Sequence, residues 1–226
     1  MSNDEVVKIL LLGPPKSGKS TIANFLGMER DNPSNRYYET KPLRIIETYL
    51  DVESIKLDNR RVVFAGSDSK TKRVRVQLWD LGGSPKNQPC WPAVADKADG
   101  IIFVFNPEIK NSSKELSLWY KNFALNLNEI DELGKSVHRV RDEHCLIFAH
   151  HSTNPQRDVG ESVIPHMPQG MEGIKTLETS LDYHSENFKY AFDKLLESIV
   201  VARMGAEEDE LLRQERESSD QPHFVY

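Results

Sequence analysis

Cysteine is scarce in this chain of 226 residues, which contains only Cys90 and Cys145. Two cysteines cannot build the disulfide framework of a small secreted protein. No secretory signal precedes the first predicted strand, and the apolar runs are too short to span a bilayer. Residues 223–226 have no cysteine nearby that could accept a prenyl group. We therefore expect an intracellular, soluble and cytoplasmic protein without a membrane anchor.

Positive charge is scarce as well. The formal net charge is −6, and residues 205–226 account for −5 of it with seven acids against two arginines, so residues 1–204 are nearly neutral. Binding to nucleic acid needs a basic face, so we expect no nucleic-acid partner. The acidic segment 205–226 is predicted to be a disordered tail that follows a single domain over residues 1–204. A helix over residues 207–216, either continuing the last helix or formed on a partner, is the alternative.

The pattern G-x-x-x-x-G-K-[ST] occurs from Gly13 to Ser20. An apolar run over residues 6–12 precedes it, and helix-compatible residues follow from Thr21, so the context is strand, glycine-rich turn and helix start. In that geometry the backbone N–H groups and the helix N-terminus bind phosphate. Lys19 would contact the β- and γ-phosphates, and the Ser20 hydroxyl would bind Mg²⁺. The predicted nucleotide-binding residues of this loop are Gly13, Pro14, Pro15, Lys16, Ser17, Gly18, Lys19, Ser20 and Thr21.

Alternating strand and helix patterns predict an α/β fold with a mostly parallel central sheet and helices on both faces. The predicted strands after the first are residues 43–49, 73–79, 101–105, 145–149 and 174–179, with a weak strand at 61–64 inside an enlarged connection over 51–72. The predicted helices are residues 114–127 and 184–204. Residues 128–143 and 153–173 are predicted to be irregular connections, the second an enlarged loop.

A second motif, Trp79-Asp80-Leu81-Gly82-Gly83, ends one of these strands about sixty residues after Lys19. Asp80 is predicted to bind Mg²⁺ through water, and the Gly83 N–H can approach a γ-phosphate because no side chain obstructs the backbone. With the phosphate-binding loop, this motif resembles the Ras-like small GTPases. The resemblance implies the cofactors GTP or GDP with Mg²⁺, and Ser20, Thr40 and Asp80 (through water) as the metal site. It also implies that Thr40 closes on Mg²⁺ and the γ-phosphate, and that Ser180 and Leu181 lie in the loop covering the base.

Several further stretches resemble one divergent branch of that family, the Rab-like subunits of intraflagellar transport complex B. They are Cys90-Trp91-Pro92-Ala93, Phe103-Val104-Phe105-Asn106, Trp119-Tyr120 and Ala149-His150-His151. The resemblance runs over about residues 6–202, without 51–72 and 154–170. It implies a nucleotide-dependent binding subunit in cilium or flagellum assembly, located in the cilium or flagellum and at its base, with coiled-coil subunits of complex B as partners and no stable homo-oligomer. Trp79, Trp91 and Trp119 are each expected to be core or packing residues, and among them Trp91 is the best candidate for an anchor that faces a partner.

The chain departs from the Ras-like pattern at two positions that bear on hydrolysis. Ser84 stands where the water-orienting glutamine is expected, and Pro15 stands where Ras has glycine. Both departures predict very slow hydrolysis, because positioning supplies most of this catalysis, so no catalytic residue is assigned. Two alternatives stay open at this point. One is a slowly cycling GTPase that needs an activating protein and acts in trafficking outside the cilium. The other is a small-molecule phosphotransferase, which the glycine pair after Asp80 disfavours.

The base-recognition motif departs too. Where small GTPases carry Asn-Lys-x-Asp, this chain has His150-His151-Ser152-Thr153. We expect His150, His151 and Thr153 to face the nucleotide. Thr153 cannot accept two hydrogen bonds from guanine as a carboxylate does, so the preference for guanine is expected to be weaker by on the order of 1–3 kcal/mol. Asp158 or Asp182 could take over that role by a different path.

Overall fold

The computed structural model describes residues 6–27, 39–52, 55–58, 61–64, 72–130, 136–151, 167–180 and 185–219. The strands are β1 (Val6–Leu12), β2 (Leu43–Val52), β3 (Ile55–Asp58), β4 (Arg61–Phe64), β5 (Lys72–Leu81), β6 (Gly100–Phe105), β7 (Leu125–Ile130), β8 (Ser136–His138), β9 (Cys145–His150) and β10 (Lys175–Thr179). The α-helices are α1 (Lys19–Leu26), α2 (Trp91–Ala95), α3 (Ser112–Phe123) and α4 (Ser185–Ser219), with 3-10 helices at Pro85–Cys90 and Asp142–His144.

Six strands form the central sheet in the order β10-β9-β6-β1-β5-β2. Neighbouring strands run parallel except for β2, which pairs antiparallel with β5 at the edge. Every residue of β6 and β9 is buried, as an apolar strand covered on both faces requires. The predicted mostly parallel sheet is confirmed. Since parallel strands end at one edge, this topology places the ends of β1, β5, β6, β9 and β10 together.

The core is divided by the sheet into two clusters. Helices α1 and α4 cover one face, and the residues of α4 predicted to point inward are all buried: Phe188, Phe192, Leu195, Leu196 and Ile199. Helices α2 and α3 cover the other face. There Trp91 is only 5 % exposed and packs against Trp119 and Phe123, with ring centroids 4.6 Å and 5.3 Å away. The expectation that Trp91 is a core residue is therefore confirmed, and the alternative that it is an anchor facing a partner is wrong.

Two small hairpins were not expected from the sequence. The strand predicted at 61–64 is present as β4, but it pairs with β3, and β2 extends to Val52, so the connection 51–72 is more regular than predicted. Helix α3 starts at Ser112 and ends at Phe123 instead of spanning 114–127. Strand β7 follows and pairs with β8 inside the segment 128–143 predicted as a loop. The sequence of β7, with leucine and asparagine alternating, has a period of two that suits a strand.

The last helix is longer than predicted. Helix α4 continues through Ser219, so residues 205–219 are helical where a disordered tail was expected, in agreement with the alternative. Charged and polar side chains one turn apart support this extension: Glu210 accepts hydrogen bonds from Arg213 and Gln214, both at 3.0 Å. Residues 206–216 are all exposed. None of the helices in the described ranges combines the length and the apolar character needed to cross a bilayer.

Candidate nucleotide site

The predicted phosphate-binding loop connects β1 to α1 at the carboxyl edge of the sheet. It turns sharply, with positive φ at Gly13, Lys16 and Gly18. Gly18, at φ +91°, lies against the ring of His150, and a Cβ atom there would be 2.2 Å from His150 Cδ2. Both the backbone angle and the space therefore require glycine at this position. Pro15 and Lys16 are exposed, whereas Gly13, Pro14 and Ser17 are buried and Thr21 is half-buried.

Lys19 is folded back under this loop. Its ammonium group donates hydrogen bonds to the carbonyl oxygens of Gly13 at 2.9 Å and Pro14 at 2.8 Å, and it lies 3.3 Å from Ser17 Oγ. The residue is 5 % exposed, and burial lowers its pKa to about 8 against the opposing effect of Asp80. A phosphate group would restore charge compensation to this ammonium, so its position suits the β- and γ-phosphate contact predicted for it.

The two hydroxyl groups predicted to bind magnesium lie side by side. Ser20 Oγ, on the first turn of α1, is 2.9 Å from Thr40 Oγ1, which precedes β2. These hydroxyls come from residues twenty positions apart, so the segment before β2 closes onto the phosphate-binding loop. The structure thus brings together the pair that the family resemblance had implied.

Asp80, on β5, lies near Ser20, because the guanidinium of Arg44 contacts both the Asp80 carboxylate and the Ser20 carbonyl oxygen. Its carboxylate is fully buried, and its Oδ1 atom has no hydrogen-bond partner among the described residues. A buried carboxylate oxygen without a partner needs a cation or water beside it. Two hydroxyls and a carboxylate are also the hard oxygen ligands that Mg²⁺ prefers, directly or through water. Ser20, Thr40 and Asp80 therefore fit a magnesium ion.

Gly83 approaches the loop from the other side. A Cβ atom on Gly83 would lie 2.6 Å from Pro14 C and Pro15 N, and 2.8 Å from Gly13 O, so only glycine allows this contact. The preceding residue, Gly82, donates its N–H to the carbonyl oxygen of Pro42 at 2.8 Å. The segment after β5 is thus tied both to the phosphate-binding loop and to the segment before β2. Ser84, which is half-buried, follows directly and precedes the 3-10 helix at Pro85–Cys90.

The two histidines lie at the end of β9, next to the loop. His150 Nδ1 is 3.1 Å from Thr179 Oγ1, and burial lowers the pKa of this imidazole to about 4, with the charge of His151 acting in the same direction. His151 is 3 % exposed, and neither ring nitrogen has a hydrogen-bond partner among the described residues, although Nδ1 lies 3.6 Å from the carboxylate of Glu108. Polar atoms buried in this way suit a ligand that lies against them.

Of the remaining predicted residues, Ser180 lies in the described part of the chain and the others lie outside it. Ser180 follows β10 and is buried, close to His151, whose N–H donates to the Thr179 carbonyl at 2.9 Å. Thr153 and Leu181, together with the candidate substitutes Asp158 and Asp182, lie outside the described residues.

Sequence reasoning missed three residues that touch this group. Arg44 contacts Asp80, Glu108 faces His151, and Asn87 donates to the Gly82 carbonyl at 3.0 Å. Pairing of β2 with β5 would have found Arg44, because the antiparallel register sets it directly opposite Asp80. No sequence pattern pointed to the other two.

Comparison with known proteins agrees with this geometry. The family described as "Ras of Complex, Roc, domain of DAPkinase" matches residues 8–133. Intraflagellar transport protein 22 of Trypanosoma brucei brucei (strain 927/4 GUTat10.1) is 54% identical over 222 residues, which cover 98% of this chain and 99% of that protein.

Two crystal structures of T. brucei IFT22 also resemble this chain. The GDP-bound structure has a TM-score of 0.61 at 46% identity, covering 88% of this chain and 99% of its own. The GTP-bound IFT22/74/81 structure has a TM-score of 0.64 at 50% identity, covering 90% of this chain and 99% of its own.

Proposed function

The chain belongs to the intraflagellar transport protein 22 family of Ras-like GTPase domains, and we propose that it acts as a GTP-dependent docking subunit of intraflagellar transport complex B. Family membership supports a GTP-binding, Rab-like subunit of this complex. The finer proposal is that the nucleotide state controls docking. It rests on one observation: the segment before β2, which contains Thr40, and the segment after β5, which contains Gly83, both close onto the phosphate-binding loop.

The nucleotide would be held by the loop from Gly13 to Thr21. Its backbone N–H groups and the N-terminus of α1 attract phosphate oxygens, and Lys19 exchanges its loop carbonyl partners for them. The base would lie against His150 and His151 and near Ser180, and the sequence adds Leu181 and Thr153 as further predicted contacts. The two buried ring nitrogens of His151 support this placement.

Magnesium would be held by the hydroxyls of Ser20 and Thr40 and, through water, by Asp80. When bound, it neutralises the phosphate charge at that end of the site. Thr40 would stay next to Ser20 because both hydroxyls would bind the same ion, and Gly83 could donate its N–H to a γ-phosphate. GDP has no γ-phosphate, so the Gly83 N–H would lose its acceptor. The segments that contain Thr40 and Gly83 would then no longer be held to the same phosphate group.

We propose the partners and the location on the basis of family membership. The IFT22 of T. brucei was crystallised with IFT74 and IFT81, so subunits of this complex are the proposed partners. We further propose that these partners present coiled-coil segments and that the protein binds them as a single copy. Its proposed location is the cytoplasm, the cilium or flagellum, and the base of that organelle. Residues 1–204 are proposed to form the nucleotide-binding domain. The exposed end of α4, over residues 206–216, then extends from that domain.

Isothermal titration against the subunits equivalent to IFT74 and IFT81 tests the proposal. The protein is loaded with GTP, loaded with GDP, or stripped of nucleotide. We expect the GTP form to bind at least roughly tenfold more tightly than the GDP form, a coupling of about 1.4 kcal/mol. Equal affinity for all three forms would remove the nucleotide switch while leaving a constitutive docking role.

A variant at Lys19 separates the nucleotide from the docking surface. Lys19→Ala removes the buried ammonium that contacts two loop carbonyls, so it should abolish the rise in melting temperature that GTP with magnesium gives the wild type. Lys121→Ala is the control, because Lys121 is an exposed lysine in the last turn of α3 and lies outside the phosphate-binding loop. A Lys19 variant that kept the full thermal shift would contradict the placement of the phosphates.

A further inference from the structure

An arginine outside the sequence motifs contacts the carboxylate at the magnesium end of the site. Arg44 lies on β2 directly opposite Asp80 on β5. Its Nη2 atom is 3.4 Å from Asp80 Oδ2 and 3.3 Å from the carbonyl oxygen of Ser20. The guanidinium therefore touches the acid that would hold metal-bound water and the backbone of a residue whose hydroxyl would bind the metal.

The contact between Arg44 and Asp80 compensates a buried negative charge. A fully buried carboxylate is unfavourable unless a cation compensates it. Lys19 is one such cation, but its ammonium is held by the phosphate-binding loop and is positioned for phosphate. Arg44 is a second cation beside this carboxylate, with 38 % of its side chain exposed. It therefore places a positive charge beside the metal position.

The two oxygens of Asp80 are used differently. Oδ2 faces Arg44, whereas Oδ1 has no hydrogen-bond partner among the described residues. The arginine thus leaves one oxygen available for metal-bound water, and both cations can share the carboxylate. The guanidinium of Arg44 and a metal ion would each weaken the binding of the other to Asp80, because two positive charges beside one carboxylate repel each other.

We propose that Arg44 is a positioning residue that sets how strongly nucleotide binding depends on magnesium. This inference rests on the proposed nucleotide-binding function. The guanidinium holds Asp80 in place and supplies part of the positive charge that a metal ion supplies. Consequently, nucleotide remains bound when magnesium is removed, and magnesium itself binds more weakly than it would beside an unpaired aspartate.

Dissociation of mant-labelled GDP from the full chain, followed by fluorescence in magnesium chloride or in EDTA, tests this. In Arg44→Gln, we expect the Kd of mant-GDP in EDTA to rise about tenfold, the size of one charge-assisted hydrogen bond at a partly exposed site. We expect the magnesium concentration that half-maximally slows dissociation to fall by about the same factor. Arg44→Lys keeps the charge, so its Kd for mant-GDP in EDTA and its half-maximal magnesium concentration should lie between those of Arg44→Gln and the wild type.

The opposite signs of these two effects distinguish positioning from a structural role. A substitution that only loosened the fold would weaken both nucleotide and magnesium binding. Arg75→Gln is the matched control: Arg75 is a partly exposed arginine on β5 that lies 4.0 Å from Glu47, and both constants should stay at the wild-type value. Unchanged constants in Arg44→Gln, or two constants that both weaken, would overturn the inference. A wild-type protein that bound no mant-GDP in either condition would overturn the proposed function as well.

Discussion

Replacing Gly83 by alanine measures how much the segment after β5 contributes to sensing a γ-phosphate. The new Cβ atom would lie 2.6 Å from Pro14 C and Pro15 N and 2.8 Å from Gly13 O, closer than the 3.0 Å below which Cβ contacts essentially never occur. All three neighbours are backbone atoms, so no side chain can rotate away. One of the two backbone segments has to move.

The segment carrying Gly83 is the one expected to move. The phosphate-binding loop is held between a buried strand and a helix, with Lys19 bonded to its carbonyls. The segment after β5 is tied by the Gly82 N–H to Pro42 and by the Asn87 side chain to Gly82. Moving it removes the Gly83 N–H from the γ-phosphate, a hydrogen bond to a charged group worth roughly 1.5–3 kcal/mol, or about 10- to 150-fold in Kd.

Isothermal titration with GDP and with a non-hydrolysable GTP analogue gives the result directly. We expect Gly83→Ala to lose affinity for the analogue by that factor and to keep its affinity for GDP, which has no γ-phosphate. Gly205→Ala is the control, because no described atom lies within 4 Å of the position where its Cβ would be. It should leave both affinities unchanged and stabilise α4 by roughly 0.5–1 kcal/mol. Equal losses for both nucleotides in Gly83→Ala, or no loss at all, would refute the placement of the γ-phosphate.

Three further predictions concern pH, the core and hydrolysis. Because burial lowers the pKa of His150 to about 4, the unfolded chain binds more protons than the folded one between that value and the ordinary 6.5, so stability should fall by roughly 3 kcal/mol as the pH drops through this window. Urea unfolding of His150→Asn at several pH values should show a total loss of stability across this window that is smaller by that amount, and a loss equal to that of the wild type would contradict it. Trp91→Ala should cost roughly 3–5 kcal/mol, since the ring is buried against Trp119 and Phe123; a loss below about 1 kcal/mol in urea unfolding would mean that this ring is dispensable. Ser84→Gln should raise single-turnover GTP hydrolysis by roughly tenfold or more if a missing water-orienting side chain limits the rate. No gain would show that the role given to position 84 is wrong.

The sheet and its phosphate-binding loop were predictable because their signals are local. The apolar runs of β1, β6 and β9 are short and continuous, as is typical of strands buried on both faces of a parallel sheet. The loop motif has fixed spacing because glycine and lysine must meet phosphate from a short turn. Trp91 shows where local signals leave two alternatives open. A tryptophan between two prolines suits a surface anchor as well as a core residue, and only the packing of α2 on α3 decides between them.

Long-range contacts account for most of what the sequence did not predict. Arg44 meets Asp80 only because β2 and β5 pair antiparallel in one register, and a shift by one residue would turn the arginine to the other face. The hairpin of β7 and β8 was hidden by polar residues that also suit a loop. The extension of α4 was obscured by its acidic composition, which disordered segments share with exposed helices.

The free-standing end of α4 has a consequence for how that helix opens. Arg203 ties α4 to the sheet by donating to the Val6 carbonyl at 3.0 Å. From residue 206 to 216 every side chain is exposed, so burial of side chains does not protect the helical hydrogen bonds there. Amide hydrogens along this stretch should therefore exchange with deuterium in a gradient, slowest near Arg203 and fastest toward Arg216. A partner that bound to residues 206–216 would slow exchange along this stretch and reduce the difference between its two ends.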